Sequence, residues 1–318
     1  MKCKRNIAFT AGGIVLAAAL IAADLLHGSA GADAEVMTML RLPRIITAVI
    51  AGCSLALAGT QMQAILRNPL ADPHIMGVSS GAALGAALAT MSGTLSLPGI
   101  ASGLSTAGAA FTGALVTGFI IMLASRRFRT STTLLIFGVM LGFIVSAITT
   151  ILQFSTDAES LKSYYSWAAG SFSMTRWQQI AIMAAALAAG LGISFRERKG
   201  LDIILFGDEY AKMAGADTER IKFRSLLSSC FVTGAVTAFC GPLGFIGIIS
   251  PHIAKAILKT SSHRIVIPAA LLVGGIIGTA ADLISQLSRS PLPVASTMAI
   301  VGIPVVLYIL ISKPSYGE

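Results

Sequence analysis

Four histidines (His27, His74, His252, His263) and four cysteines (Cys3, Cys53, Cys230, Cys240) are the side chains best suited to bind a metal or attack a substrate. Their spacing supports neither role. The histidines fall in different segments without ligand spacing, and no two cysteines form a CxxC pair. Three of the cysteines lie in or beside apolar runs and read as small packing residues. HExxH and GxxxxGK(S/T) are missing, so metalloprotease and nucleotide hydrolase chemistry find no residues to carry them. An enzyme needs a nucleophile beside its base, or a metal set. The sequence offers no such group, and no catalytic residue, metal site or cofactor is expected.

The elements that would position any chemistry are membrane spans. The chain has 318 residues, 55% hydrophobic and only 12% charged, whereas soluble domains carry about 25% charged residues. Apolar runs lie near 7–26, 44–66, 75–93, 104–124, 133–153, 177–195, 224–242, 243–259, 265–287 and 294–312. Each approaches the ~20 residues a transmembrane helix needs, so the predicted fold is all-α and polytopic, about ten spans in one domain over residues 1–318. The first run also reads as a signal peptide, with AGADA as a cleavage site, but it exceeds the usual signal length. The formal net charge is +9, and its placement excludes nucleic acid as a partner, because no basic stripe interleaves with aromatics. The cations instead sit in short loops. With the N-terminus inside, most of them face the cytoplasm, among them Arg67, Arg126, Arg127, Arg196, Arg198, Lys199, Lys222 and Arg224. Arg41, Arg44, Lys162, Arg176 and Arg289 stay outside. This asymmetry follows the positive-inside rule and predicts a cell inner-membrane protein with both termini cytoplasmic. Asp24 and Asp282 fall near outer helix ends, away from the midplane where a proton carrier belongs.

Three local patterns stand out. RNPLADPHIMG, from Arg67, is a polar knot with two prolines between apolar runs; the prolines forbid a continuous helix. Gly77, Gly81 and Gly85 recur every four residues and are predicted to share one face of the following helix, where small residues let backbones approach in lipid. Residues 195–224 form a long loop of mixed charge. Within it LDIILFGDEYAKMAG reads as two short helices broken at Gly207 and Gly215, suited to docking a cytoplasmic partner.

RLPRIITAVIAGCSLALAGTQMQAILRNPLADPHIMGVSSGAALG, GPLGFIGIISPHIAKAILKTSSHR and AADLISQLSRSPLPVASTMAIVGIPVVLYIL together resemble the FecCD-type permeases. These are membrane subunits of binding-protein-dependent ABC importers for ferric siderophores, haem and vitamin B12. The match runs in order from about residue 38 to 313, with Lys255 where the family often has Arg. The resemblance implies a type II importer permease that acts as a homodimer in the membrane lipid. Two cytoplasmic ABC ATPase subunits and a periplasmic or lipid-anchored substrate-binding protein complete the complex. It implies an inner gate at Asn68 and Leu70 and a second gate at Thr130, Ser131 and Thr132. ATPase coupling falls in a loop of about 196–222, on Leu201, Gly207, Asp208, Glu209, Ala214 and Gly215. Docking of the binding protein falls on Arg41, Arg44 and Arg289. The expected cargo is an iron chelate, ferric siderophore or haem, with cobalamin as the alternative. The rival of another class is an ion-coupled secondary transporter, which wants charged or broken helices at mid-membrane; the sequence shows no charged cluster there.

Overall fold

The computed structural model describes residues 2–26, 34–91, 102–128, 130–287 and 292–312. Among them the chain is helical from end to end. Helix α1 (Lys2–Leu26) is followed by a short α2 (Ala34–Val36) and a π-helical turn (Met37–Arg41) that runs straight into α3 (Leu42–Leu66). Next come α4 (Val78–Met91), α5 (Ser102–Arg127), α6 (Ser131–Phe154) and the short α7 (Ala158–Ala168). The remainder is α8 (Trp177–Ile204), α9 (Asp208–Met213), α10 (Thr218–Cys240), α11 (Ile246–Leu258), α12 (His263–Gln286) and α13 (Val294–Ser312). Seven helices are long and apolar enough to cross a membrane, and α4, α11 and α13 supply three shorter apolar ones. These correspond one for one to the ten runs in the sequence.

Helix α3 is the axis of the bundle. It is buried along most of its length, and α8, α10, α11 and α12 pack around it. Lipid provides no hydrophobic force between helices, so backbone proximity and polar contacts must do the work. Glycine supplies the first. A Cβ on Gly52 would land on the Gly274 carbonyl, and one on Gly59 would land on that of Gly247. Polar side chains supply the second. Gln61 on α3 donates to Ser228 Oγ at 3.0 Å and to Ser194 Oγ, and accepts from Ser229 Oγ at 2.8 Å. This one amide joins α3 to α8 and α10, and interhelical bonds of this type contribute about 0.5–2 kcal/mol each.

Two features of the spans have local causes. The break between the seventh and eighth spans carries no charge and looks weak in hydropathy, yet 241–245 is clearly non-helical. Gly241 adopts φ 76°, ψ 179°, a region essentially reserved for glycine, and Pro242 follows. The expected face of Gly77, Gly81 and Gly85 is also split. Gly77 precedes α4 with φ 89° and lies against Gly138 and Gly142 of α6, whereas Gly81 and Gly85 close onto α5 at Gly113 and Ala109. A left-handed residue cannot continue the helical spacing, so the first glycine turns to a different neighbour.

Candidate functional site

The features of interest gather at the two ends of the bundle. One end is basic: α5 finishes there with Arg126 and Arg127, and α10 begins there with Arg220, Lys222 and Arg224. At this end the polar knot is built from two side-chain turns. Arg67 ends α3 in the left-handed region. Asn68 Oδ1 then accepts the Leu70 N–H at 2.9 Å, and Asp72 Oδ1 accepts the His74 N–H at 2.8 Å. Asn and Asp favour such turns because their side chains mimic a backbone acceptor. The knot is not a surface loop. Ala71, Asp72 and Met76 are buried, and the Asp72 carboxylate lies against Gly247, level with residues 55–59 of α3. That is roughly 10–16 Å along α3 from its end. The chain therefore folds back into the bundle before α4 starts. His74 Nδ1 is hydrogen-bonded to Ser79 Oγ on α4, which fixes the exit of the turn.

The second expected gate segment lies beside it. Thr130 caps α6 by accepting the Thr133 N–H at 3.2 Å. Ser131 is buried and donates to the Ile65 carbonyl of α3 at 3.1 Å, while Thr132 is exposed. The start of α6 is thus tied to the last turn of α3, from which Asn68 and the half-buried Leu70 emerge. The fold brings residues more than sixty positions apart to one place.

The expected loop of 196–222 is mostly helix. Helix α8 continues through Leu201, which is fully buried, to Ile204, so the first of the two predicted short helices is the end of a long one. The breaks do fall at glycines: Gly207 has φ 108° and Gly215 φ 78°. Between them α9 forms a six-residue step. Asp208 pairs with Lys222, and Glu197 pairs with Arg224 at 2.6 Å, fastening this stem to α10. Glu209, Ala214 and Gly215 are exposed. So are three large apolar side chains that the sequence reading passed over: Phe206 (75%), Tyr210 (53%) and Met213 (81%). The rings of Phe206 and Tyr210 stand 5.6 Å apart. Their spacing of four and three residues has a helical period and was the available signal within a charged loop, although Gly207 breaks the helix between Phe206 and Tyr210.

At the opposite end, the structure describes two of the three expected docking arginines. Arg289 lies outside the described residues. Arg41 donates to the Leu25 carbonyl at 2.7 Å. Arg44 is engaged within the chain: its Nε lies 2.7 and 2.9 Å from the two oxygens of Asp282, and Nη2 donates to Ser285 Oγ at 3.0 Å. Asp282 is fully buried. Gln286 donates to both Asp282 and Asp24, joining α12 to α1. A small cavity of about 230 Å³ opens between Asp24, Arg41, Arg44, Ser173 and Gln286. The short α7 is capped by Asp157, whose exposed carboxylate is held below its usual range, chiefly by the backbone N–H of Ser160.

A ten-helix membrane bundle with a re-entrant polar turn at one mouth, and an apolar ridge on a stem outside the spans, has the architecture of a transport permease. The family model for the FecCD transport family matches residues 6–312, and the chain belongs to that family. It is 33% identical over 291 residues to the cobalamin import system permease protein BtuC of Halobacterium salinarum, covering 91% of this chain and 77% of the relative. It is 32% identical to the vitamin B12 import system permease protein BtuC of Klebsiella pneumoniae, with coverages of 87% and 83%. It is also 32% identical to the hemin transport system permease protein HmuU of Yersinia pestis, with coverages of 86% and 82%. Among solved structures, an inward-facing metal-chelate type ABC transporter superposes with TM-score 0.85 at 26% identity, covering 95% of this chain and 98% of that one. PsaBC from Streptococcus pneumoniae shares the fold at TM-score 0.56 and 17% identity, covering 84% and 89%. The protein is an ABC importer permease, a multi-pass membrane subunit.

Proposed function

We propose that this permease forms, as a homodimer, the path for a bulky metal chelate, and that ATP-driven alternating access in a separate pair of ATPase subunits opens and closes it. The observation that carries the coupling is the ridge of Phe206, Tyr210 and Met213. Large apolar side chains exposed outside the spans, on a step fixed by ion pairs, fit an anchor for a protein groove. Asn68, Leu70 and Thr130–Thr132 surround the mouth beside this stem and act as the inner gate. Ser146, exposed on α6 and hydrogen-bonded to Ser80 of α4 at 3.3 Å, suits the wall of a path better than a lipid contact. The cations at the ends of α5, α8 and α11 support a cytoplasmic basic end in a cell inner membrane. The opposite end would then receive the binding protein through Arg41 and Arg289, with Arg44 set behind them.

The cargo we favour is an iron chelate, haem or a ferric siderophore. Cobalamin is the second reading, favoured by the names of the relatives in Halobacterium and Klebsiella. Tyr210→Asp places a charge in the middle of the ridge. It is expected to abolish co-purification of the ATPase subunits and ATP-dependent uptake, with membrane insertion intact. Uptake of radiolabelled haem, ferric siderophore and cobalamin into liposomes holding the assembled complex separates the cargoes. Retention of the ATPase by Tyr210→Asp would remove the ridge from the coupling interface. Uptake driven by an ion gradient without ATP would transfer the protein to the secondary transporters.

A further inference from the structure

Three carboxylate contacts gather on the stem formed by the end of α8 and by α9. Two of them, Glu197–Arg224 and Asp208–Lys222, hold it to α10, its neighbour in the chain. The third reaches much further. Asp202 lies two residues before the end of α8 and meets the first residue of α12. Its Oδ1 accepts the His263 backbone N–H at 2.7 Å and lies 2.6 Å from His263 Nδ1. Its Oδ2 accepts the Ser262 hydroxyl at 3.3 Å. Ser262 occupies the N-cap of α12 with an extended backbone, but its own side chain makes no capping bond. The first turn of a helix has N–H groups without intrahelical acceptors, and here the acceptor comes from a residue 61 positions earlier in the chain. The His263 ring is fully buried, and its Nε2 has no hydrogen-bond partner among the described residues. The Nδ1 side therefore carries the hydrogen-bonding of the ring.

Helix α12 is thus held by a carboxylate contact near each end. Asp202 grips its first residue, and Arg44 grips Asp282 nineteen residues, or roughly 28 Å, further along. Between these points α12 lies on α3 with near backbone contact at Gly52 and Gly274. Pro268, five residues after His263, removes one backbone hydrogen bond from the early turns of α12, and beyond it the Gly52–Gly274 contact keeps α12 seated on α3. We infer that Asp202 is a positioning residue: the joint that passes movement of the α8–α9 stem to α12, and through it to the opposite end of the bundle. This rests on the proposed coupling of α9 to ATPase subunits. The polar partners of Asp202 among the described residues are Ser262 and His263, not the ridge or the gate residues; it acts by locking two elements together.

Helix capping and jointing are separable. Asp202→Ala removes both. Adding Ser262→Asp returns an N-cap carboxylate, a favoured capping group, from α12 itself, and leaves α8 unattached. The test uses the permease assembled with its ATPase subunits, in a cysteine-free background carrying Leu287→Cys. Leu287 is exposed just beyond the far end of α12. Maleimide labelling of this site is followed with and without ATP plus vanadate, on complexes that retain their ATPase, beside thermal unfolding. Without further change, labelling should respond to nucleotide. D202A should lower the unfolding midpoint and shrink the response at least about fivefold, the lower end of typical allosteric coupling. D202A/S262D should regain the midpoint and not the response. A response that returns with the midpoint, or one of full size in D202A, overturns the joint. No nucleotide response in the otherwise unaltered complex overturns the coupling reading on which the joint depends.

Discussion

Arg44 shows how much one side chain carries in a bundle with few charges. Its guanidinium meets a fully buried carboxylate with two nitrogen–oxygen distances under 3 Å. The two charges come from α3 and α12, helices that are also in backbone contact. Breaking a buried pair from one side leaves an uncompensated charge and costs about 3–5 kcal/mol, whereas replacing both partners with apolar groups is often neutral. Arg44→Met should therefore destabilise the permease by about 3 kcal/mol, and Asp282→Leu added to it should recover most of that loss. Unfolding of purified protein in mixed micelles checks this. Additive losses in the double variant would mean that the two residues do not depend on each other.

Gly207 governs a whole element. It connects α8 to α9 with φ 108° and ψ 153°, a conformation that an L side chain rarely adopts. Its Cβ position also approaches Arg67 Nη1 at 3.3 Å, so the stem and the polar knot meet there. Gly207→Val should cost about 1–3 kcal/mol of local strain, tilt α9, and swing Tyr210 and Met213 away from their present line. The expected result is normal insertion, lost substrate-stimulated ATP hydrolysis and weakened ATPase retention. Proteoliposomes with full stimulation in this variant would show that the angle of α9 is unimportant. The backbone, not the ridge residues, is the target of this substitution, so it complements Tyr210→Asp.

On the scale of the whole molecule, charge is separated between the ends. The basic end holds the stem and the gate, and the far end holds Arg41, Arg44, Lys162 and Arg176. A binding protein with acidic lobes would be steered to this far face and oriented by it, with an affinity that falls as salt rises. Arg44 is held by the buried Asp282 and Arg41 donates to the Leu25 carbonyl, and of the two Arg41 is taken as the reporter of docking. Arg41→Glu should weaken capture of the binding protein in nanodiscs by about tenfold at low salt, a change of ~1.4 kcal/mol, and by less at high salt. Basal ATP hydrolysis should not change. Equal affinity at both salt concentrations would remove Arg41 from the docking face.

Composition and hydropathic runs were enough to determine that the chain is helical, crosses a membrane about ten times and segregates its cations. These follow from local chemistry: a segment of ~20 apolar residues must satisfy its own backbone hydrogen bonds in lipid. Motif order placed it among the importer permeases, and the glycines at 207 and 215 marked real breaks, because glycine takes positive φ without steric cost. Pairings across the chain were not legible. Nothing near Asp282 announces Arg44, nothing near Asp202 announces His263, and the burial of Asp72 against Gly247 has no signature in the polar knot. The glycine pattern at 77, 81 and 85 was visible as spacing, yet its division between α6 and α5 depended on where α4 begins. Local sequence decides which segments become helices and where they stop. Which helix a buried charge or a glycine meets depends on close packing of elements far apart in the chain, and that was decided only when the whole bundle assembled.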